Sequence, residues 1–393
     1  MIQQIRQRSR ELSGEIRSIR QHIHQHPELS FEEFETAKYV AAKLDALGIN
    51  YQSGVAGTGI VAIIQGRRPE SRCLAIRAEL DALPIKELNE VSYTSVNDGI
   101  MHACGHDVHT ACLLGVAQVM HELRDQFSGT LKLIFQPGEE MHPGGGSLMI
   151  EAGVLENPKI DAILALHVYP HLPAGVVGFR SGQYMASTDE IHIKITGKGG
   201  HAALPHQTID PIAIAAETIV ALQQVVSRRS NPVSPSVLSF GKIAGGTVNN
   251  VIPDEVELAG TLRTMDEQWR AEAHKLIRNV THNISEAFGA QAHIDIPKGY
   301  PSLYNDPVLT AQIGGFAEAF LGKDQVRELS LRMTADDFAF YSQSVPGCYF
   351  RLGTNTNNAA HTVSVHNARF DIDESALETG VGVMSFAAFS YLQ

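Results

Sequence analysis

The amino-acid sequence predicts an α/β protein with a mainly parallel sheet, interrupted by a smaller α+β domain. The chain has 393 residues, which is more than one ordinary core needs and indicates two domains. Short apolar runs alternate with helical segments over residues 1–182, as in a parallel sheet covered on both faces. Between residues 183 and 298 the predicted order changes to β-α-β-β-α-β. These observations favour a larger domain that carries an insertion.

The larger domain begins with two amphipathic helices, predicted over residues 3–24 and 31–48. The second ends near Gly48, because glycine readily adopts the left-handed conformation that terminates a helix. The elements that follow are GIVAIIQG (59–66), CLAIRA (73–78), a helix over 109–124, LKLIFQ (131–136), a helix near 146–152 and AILALHV (162–168). Strands separated by helices in this way pair in parallel.

The insertion has its own order of elements. Asp210-Pro211 supplies a helix start, since aspartate caps a helix and proline suits its first turn. The predicted elements are a strand over 190–197, a helix over 209–228, strands over 237–243 and 256–264, a helix over 266–288 and a strand over 292–297. This is the split β-α-β order of ferredoxin-like domains. We therefore predict one domain over 1–182 and 299–393 and an inserted domain over 183–298.

Composition excludes several classes of function. The net charge of −12 opposes binding to nucleic acid or to an anionic membrane. No secretory signal or apolar span of about 20 residues is present. The four cysteines form no close-spaced framework, and a chain of this size needs no disulfide scaffold. We expect a cytoplasmic protein whose thiols are reduced and free to bind metal.

The densest group of reactive residues is MHACGHDVHT (101–110). Cys104 and His106 stand at a predicted helix entrance, and Gly105 between them permits the sharp turn that brings both to one site. A thiolate and an imidazole suit zinc, cobalt, nickel or manganese. Taken alone, the pair is equally compatible with a buried cysteine beside solvated histidines.

Three further groups of candidate site residues lie at the ends of predicted strands or before a predicted helix. QPGEE (136–140) follows an apolar strand, so that one of Glu139 and Glu140 can ligate metal while the other handles a proton. His167 completes the strand AILALHV, and His366 precedes the last helix. Each alone is compatible with a charged loop or a satisfied core residue. Together they indicate a composite catalytic metal site, because their spacing is too long for a zinc finger.

The sequence resembles a known family over nearly its whole length and in the same order of motifs. The matching blocks are CGHDVHTA (104–111), QPGEE (136–140), GGG-x3-MIEAGVL (144–155), LHV (166–168), GKGGHAALPH-x3-DP (197–211), NVIPDEVELAGTLRT (250–264) and H-x3-FDIDE (366–374). They resemble the M20 metallopeptidase clan, and most closely its amidohydrolase branch of hippurate hydrolases, aminoacylases, indole-acetyl-amino-acid hydrolases and N-acetyldiaminopimelate deacetylases. The resemblance implies a zinc-peptidase-like α/β domain and a ferredoxin-like lid that forms a homodimer or a dimer of dimers.

The resemblance also implies roles for individual residues. Two divalent ions per subunit (zinc, manganese, nickel or cobalt) would be bridged by Cys104. The remaining ligands would be His106, Glu140, His167 and His366. Glu139 would be the general base, and Asp81 in RAELDALPI (77–85) would lie behind the metals. Clan peptidases carry a ligand histidine two residues before that aspartate, whereas this chain has Glu79, as the amidohydrolase branch does.

Residues of the inserted lid complete the implied site. His201 would donate to the oxyanion, in its own or the neighbouring subunit, and His206 is a weaker candidate for contact with substrate. Arg263 would bind the free carboxylate of an amino-acid product, assisted by Asn249 or Asn250. The other histidines of these motifs, expected around the site or at the surface, are His102, His109, His142 and His361.

The predicted function is hydrolysis of a small-molecule N-acyl amino acid to a carboxylic acid and a free amino acid. Carboxypeptidase or dipeptidase action at the same two-metal site is the nearest alternative. A non-catalytic metal or ligand binder is disfavoured by Glu139, since a pure binder needs no base. A nucleophilic Cys104 is a third alternative, and it predicts activity that survives chelators.

Overall fold

The computed structural model describes residues 1–355 and 363–393, so the prediction for His361 lies outside the described residues. The described α-helices are α1 (Ile2–Gln25), α2 (Phe34–Leu47), α3 (His106–Glu122), α4 (Gly145–Glu151), α5 (Pro211–Gln224), α6 (Glu267–Ala287), α7 (Pro307–Leu321), α8 (Phe338–Ser342) and α9 (Ala376–Tyr391). Short 3-10 turns cover Arg124–Gln126, Pro205–Gln207 and Lys323–Gln325, and a π-helical turn, Val225–Arg229, follows α5. No described helix combines the length and apolar character needed to cross a membrane.

The strands alternate with these helices. They are β1 (Asn50–Val55), β2 (Gly59–Gln65), β3 (Cys73–Glu79), β4 (Thr130–Gln136), β5 (Ala162–Pro173), β6 (Val177–Phe179), β7 (Gly182–Met185), β8 (Asp189–Thr196), β9 (Gly200–His201), β10 (Ser236–Ala244), β11 (Val251–Ile252), β12 (Glu255–Thr264), β13 (Gln291–Asp295), β14 (Leu303–Asn305), β15 (Val326–Glu328) and β16 (Gly347–Asn355).

The chain forms two compact units. The first comprises Met1–Gly182, Tyr304–Ser330 and Asp337–Gln393. The second comprises Gln183–Leu303 and Leu331–Asp336.

The first unit is built on an eight-stranded sheet in the order β1-β2-β4-β3-β5-β16-β6-β15. Its centre is parallel, because β4, β3, β5 and β16 run in the same direction, while β1, β2 and β6 form antiparallel pairs. Every residue of β3 and β4 is buried, as expected for strands covered on both faces. Helices α1, α3 and α9 pack on one another against this sheet. The predicted α/β class with a mainly parallel mixed sheet is confirmed.

The second unit has a four-stranded antiparallel sheet in the order β10-β12-β8-β13. Helices α5 and α6 pack against it through apolar residues of a separate core. The start of α5 follows from its sequence, because the Asp210 carboxylate accepts hydrogen bonds from the N–H groups of Ile212 and Ala213. The order β8-α5-β10-β12-α6-β13 is the ferredoxin-like arrangement that the sequence predicts.

Two helix boundaries differ from their predictions near the residues of interest. Helix α3 begins at His106 instead of residue 109, with Gly105 as its N-cap in the left-handed conformation. The imidazole of His106 therefore projects from the first turn. Helix α2 begins at Phe34 instead of residue 31, because Phe31 has a positive φ of 66° that no helix accommodates.

Candidate metal centre

A sharp turn places Cys104 and His106 on the same side of the first unit. Gly105 has a φ of 84°, a value that costs glycine little and other residues much. A Cβ at Gly105 would also lie 2.6 Å from Cγ2 of Val168. Only glycine fits this position, and it lets the thiol and the imidazole converge.

The convergence extends to the other predicted ligands. Donor atoms of Cys104, His106 and His167 lie within 4.8 Å of one another, and so do those of Cys104, Glu140 and His366. Cys104 belongs to both groups. All five residues that the sequence predicts as ligands thus meet at one end of the sheet, and the thiol lies between two sets of donors.

The imidazole of His106 is held by Asp81. Its Nδ1 atom lies 2.8 Å from the backbone oxygen of Asp81 and 3.1 Å from Oδ1 of the same residue. Burial would lower the pKa of His106, but the carboxylates of Glu79 and Asp81 raise it to about 10. The buried Nε2 atom has no hydrogen-bond partner among the described residues. Nε2 of His106 is therefore a buried nitrogen without a partner among those residues, and its surroundings favour positive charge.

His167 presents its ring in the same way. Its Nδ1 atom donates to the backbone oxygen of Val168 at 2.8 Å, and its Nε2 atom lies 3.5 Å from Sγ of Cys104. Burial, with the positive charge of Arg351, holds the pKa of His167 well below its usual value. A neutral ring whose Nδ1 carries the proton leaves the Nε2 lone pair directed at the site.

The two adjacent glutamates have different surroundings. Glu140 lies 3.1 Å from His366, measured between Oε1 and Nε2, and its backbone N–H donates to Oδ2 of Asp81 at 2.9 Å. Glu139 is buried, and its Oε2 atom is 3.9 Å from Nε2 of His106, beyond hydrogen-bonding distance. The two carboxylates therefore have different neighbours, and their separate roles stay a prediction.

His366 occupies a strained backbone position. Its φ is +62°, a conformation that is rare for residues other than glycine, and its N–H donates to the backbone oxygen of Ala103 at 2.8 Å. That bond ties the segment of His366 directly to the residue before Cys104. Strain held by surrounding structure is found at functional positions, where it fixes a side chain in place.

The chemistry of these donors fits a divalent cation. Burial, followed by the carboxylates of Glu140 and Glu139, raises the pKa of the Cys104 thiol well above its ordinary value. Without a cation the thiol is protonated and a poor nucleophile, whereas a bound divalent ion would deprotonate it. Sulfur, imidazole and carboxylate donors together suit zinc and its neighbours in the first transition row.

Sequence reasoning underestimated three residues behind the cluster. Nδ1 of His109 lies 2.8 Å from Oε2 of Glu79, and its Nε2 accepts the N–H of Val168 at 2.9 Å. Arg77 hydrogen-bonds the same Glu79 carboxylate. His109 has no nitrogen left for a metal, so this group orients the site from behind. The sequence contains a sign of this group, because Arg77 and Glu79 are charged residues in the otherwise apolar strand β3, which is fully buried.

The predicted lid residues all lie in the second unit. His201 and Asn250 are close together, because β9 pairs with β11. The N–H of Ala202 also donates to the backbone oxygen of Asn250 at 3.1 Å. Asn249 and His206 are exposed. Nδ1 of His201 accepts the N–H of Ala203 at 3.1 Å, which leaves Nε2 to carry the proton.

Arg263 lies in β12 of the same unit and is half-buried. Burial lowers the pKa of its guanidinium. Among the described residues of its own unit, the Arg263 side chain has no hydrogen-bond or ion-pair partner, although the charges of Asp189 and Glu190 partly oppose the effect of burial on its pKa. A partly buried cation without such a partner is suited to bind an anion.

Comparison with known proteins gives a consistent family assignment. An N-acetyl-L-cysteine deacetylase of Bacillus subtilis is 41% identical over 366 residues, covering 93% of this chain and 85% of that protein. Thermostable carboxypeptidase 2 of Saccharolobus solfataricus is 36% identical over 394 residues, covering 100% of this chain and 99% of that protein. The crystal structure of a Bacillus subtilis protein, described as a dinuclear metal binding peptidase from the M20 family, is 35% identical with a TM-score of 0.83, covering 98% of this chain and 99% of that one.

The family match itself spans residues 75–389, which include every residue predicted for the metal site and for the lid. The resemblance inferred from seven motifs is thereby confirmed. The chain belongs to the peptidase family M20/M25/M40.

Proposed function

We propose that this protein is a metal-dependent amidohydrolase that cleaves the amide bond of N-acyl amino acids, releasing a carboxylic acid and a free amino acid. One observation carries the proposal: two groups of candidate metal donors share Cys104, and one further buried carboxylate, that of Glu139, lies within 4.8 Å of donor atoms of His106 and Glu140. A binding protein would need the donors alone. The additional carboxylate supplies the proton acceptor that hydrolysis requires.

Two divalent ions per subunit fit the donors. His106 and His167 would hold one ion, Glu140 and His366 would hold the other, and the Cys104 thiolate would serve both. Zinc, manganese, nickel and cobalt all suit this mixture of sulfur, nitrogen and oxygen. When bound, the ions would polarise the amide carbonyl and make the attacking water more acidic.

The residues of the chain then have separate tasks. Glu139 accepts the proton of the attacking water and later delivers it to the leaving amine, which balances the hydrolysis. Asp81 holds His106 in the tautomer that directs Nε2 to the site. His201, with its proton on Nε2, is suited to donate to the oxyanion, in its own subunit or in the neighbouring one.

Substrate recognition is assigned to the second unit. Arg263 binds the free carboxylate of the amino-acid part, because a guanidinium pairs with a carboxylate through two parallel hydrogen bonds. Asn249, Asn250 and His206 are candidates for further polar contacts. We also propose a homodimer or a dimer of dimers through this unit, and a cytoplasmic location.

Carboxypeptidase or dipeptidase action at the same site is the second candidate, and one of the two sequence relatives described above is a carboxypeptidase. The more similar of the two is a deacetylase of an N-acyl amino acid, which favours the first candidate. Both reactions use the same base and metals. They differ in whether the acyl part carries an amino group.

A substrate panel separates the two candidates. Protein reconstituted with each metal is incubated with N-acetyl and N-benzoyl amino acids, with dipeptides of the same C-terminal residue, and with N-acetyl amino-acid amides that lack the carboxylate. We expect the highest kcat/KM for N-acyl amino acids and a large loss for the amides. Faster hydrolysis of the dipeptides would assign the protein to the second candidate.

A further inference from the structure

The residues on either side of Glu139 are fixed by buried carboxylates from elsewhere in the chain. The N–H of Gly138 donates to Oε1 of Glu33 at 2.8 Å, and the N–H of Glu140 donates to Oδ2 of Asp81 at 2.9 Å. The backbone around Glu139 is thus held at two successive anchors. Asp81 was expected near the site, whereas Glu33 precedes α2 and was not.

We propose that Glu33 is a positioning residue for the general base, and that it sets the place of Glu139 by holding the peptide N–H of Gly138. The inference rests on the proposed function, since it takes Glu139 as the base. Glu33 acts through the backbone and touches neither metal ligand nor substrate in this role.

Burial and further hydrogen bonds hold the side chain of Glu33 in place for its contact with Gly138. It is fully buried, and its Oε1 accepts a second hydrogen bond from the N–H of Phe31 at 2.9 Å. Its Oε2 accepts the Thr58 hydroxyl at 2.5 Å. Burial raises the pKa of Glu33, and the Thr58 hydroxyl acts in the opposite direction. A carboxylate this well bonded cannot swing away from Gly138 without leaving several donors unsatisfied.

The side chain of Glu33 does not cap the helix that it precedes. It is the N-cap of α2, yet its side chain makes no capping hydrogen bond. Glu28 caps the helix instead, accepting the N–H and the hydroxyl of Thr36, each at 2.8 Å. The chain therefore uses a second glutamate for capping and leaves Glu33 for Gly138.

A strained residue and a close contact occur at the same place. Phe31 has a φ of +66°, and Gly138 has a φ of +56° with the Phe31 ring so close that a Cβ would lie 2.4 Å from its edge. Strained backbone persists only where the surrounding structure fixes it, and such departures concentrate at functional sites. Here the Phe31 ring packs closely against Gly138, on the turn that carries Glu139.

Variants at position 33 test the inference. Glu33→Ala removes the acceptor, and we expect kcat to fall by about 10- to 100-fold through displacement of the base, with KM within about threefold and bound metal unchanged. Glu33→Gln keeps an oxygen at the same reach and should restore most of kcat. Glu33→Asp keeps the charge but withdraws the oxygen, so it should not. If the alanine variant does not fold, the contrast between glutamine and aspartate decides.

Glu28→Ala is the matched control, because it removes the cap of α2 and leaves the Gly138 contact intact. It should lower the melting temperature with kcat near wild type. Equal loss of kcat in the Glu28 and Glu33 variants, wild-type kcat in Glu33→Ala, or rescue by aspartate in place of glutamine would each overturn the inference. Glu139→Ala separates this from the proposed function: if that variant still turns over, the proposed mechanism itself fails.

Discussion

Asp81, two residues after the end of β3, holds His106 of the metal cluster through both its backbone and its side chain. Nδ1 of His106 lies 3.1 Å from Oδ1 of Asp81, and the other oxygen of the same carboxylate accepts the N–H of Glu140 at 2.9 Å and the hydroxyl of Ser30 at 2.7 Å. Burial would raise the pKa of Asp81, but the hydrogen bond and charge of His106 lower it overall. One buried carboxylate thus orients a candidate ligand from each group of donors.

Removing that carboxylate should weaken metal binding. Asp81→Ala removes one of the two oxygens that hold the His106 ring, leaving only the backbone oxygen, and it releases the backbone of Glu140, so we expect metal affinity to fall by about 10- to 100-fold. Competition against a chromophoric chelator measures the affinity. Ser30→Ala removes one hydrogen bond to the same carboxylate, and it should cause a smaller loss. Unchanged affinity in Asp81→Ala would show that the ring is held by other contacts.

Chelation and thiol modification distinguish metal chemistry from a Cys104 nucleophile. Because burial and two nearby glutamates raise the pKa of the Cys104 thiol, we expect the metal-free protein to be inactive and to react slowly with iodoacetamide at neutral pH. Adding zinc, manganese, cobalt or nickel should restore hydrolysis. Activity that survives chelation, and that alkylation then abolishes, would favour the nucleophile.

Glu139 should be required for turnover but not for metal. In Glu139→Gln the amide cannot accept the proton, so we expect kcat to fall by about 10²- to 10⁴-fold while the bound metal is retained. Metal content by mass spectrometry and kcat for the best N-acyl amino acid give the two readouts. Loss of metal together with activity would instead make Glu139 a ligand.

Much of this arrangement could be predicted from the sequence, because its signals are local. The predicted helix over 3–24 corresponds to α1, and the Asp210-Pro211 start of α5 appears as an N-cap. The five candidate ligands, whose donor atoms the structure brings close together, could be selected because each stands at an element end or entrance, where an α/β fold collects ligands.

Long-range contacts were not predictable in this way. Strand β16 lies inside the sheet, but Arg351 interrupts its apolar run. The guanidinium of that buried residue lies 4.8 Å from the ring centroid of Tyr349. Glu33 lies within the helix predicted over 31–48, where a glutamate is an ordinary helix former. Its bond to Gly138 joins residues 105 positions apart, which no local pattern encodes.

Arg263 should contribute to recognition of the carboxylate. Arg263→Ala removes the guanidinium, so we expect KM for N-acyl amino acids to rise by about 10-fold or more, because a charge-assisted pair is lost. Arg263→Lys keeps the charge without the planar pair of donors and should recover only part of the affinity. N-acyl amino-acid amides serve as the control substrates, since they lack the carboxylate. An equal loss for acids and amides would contradict this role.

Acid should lower the stability of the second unit by protonating Asp189. Burial alone would raise the pKa of Asp189, but its hydrogen bonds with Arg270, at 2.6 and 2.7 Å, and with His274 lower it to about 2. A folded-state pKa below the unfolded value of about 3.9 means that the contribution to stability is complete above that pH. It is lost as the pH falls toward 2.

Asp189→Asn tests this pH dependence. We expect the free energy of unfolding to drop by about 3 kcal/mol at pH 7, since the buried Arg270 keeps only Glu267 as a charged partner, and the difference from wild type to shrink between pH 4 and pH 2. Urea unfolding followed by circular dichroism at each pH measures both. Glu190→Gln is the control, because Glu190 pairs with His192 at the surface and should contribute less than about 1 kcal/mol. A difference that stays constant down to pH 2 would mean that Asp189 stabilises the unit through packing alone, since ionisation of its carboxylate would then play no part.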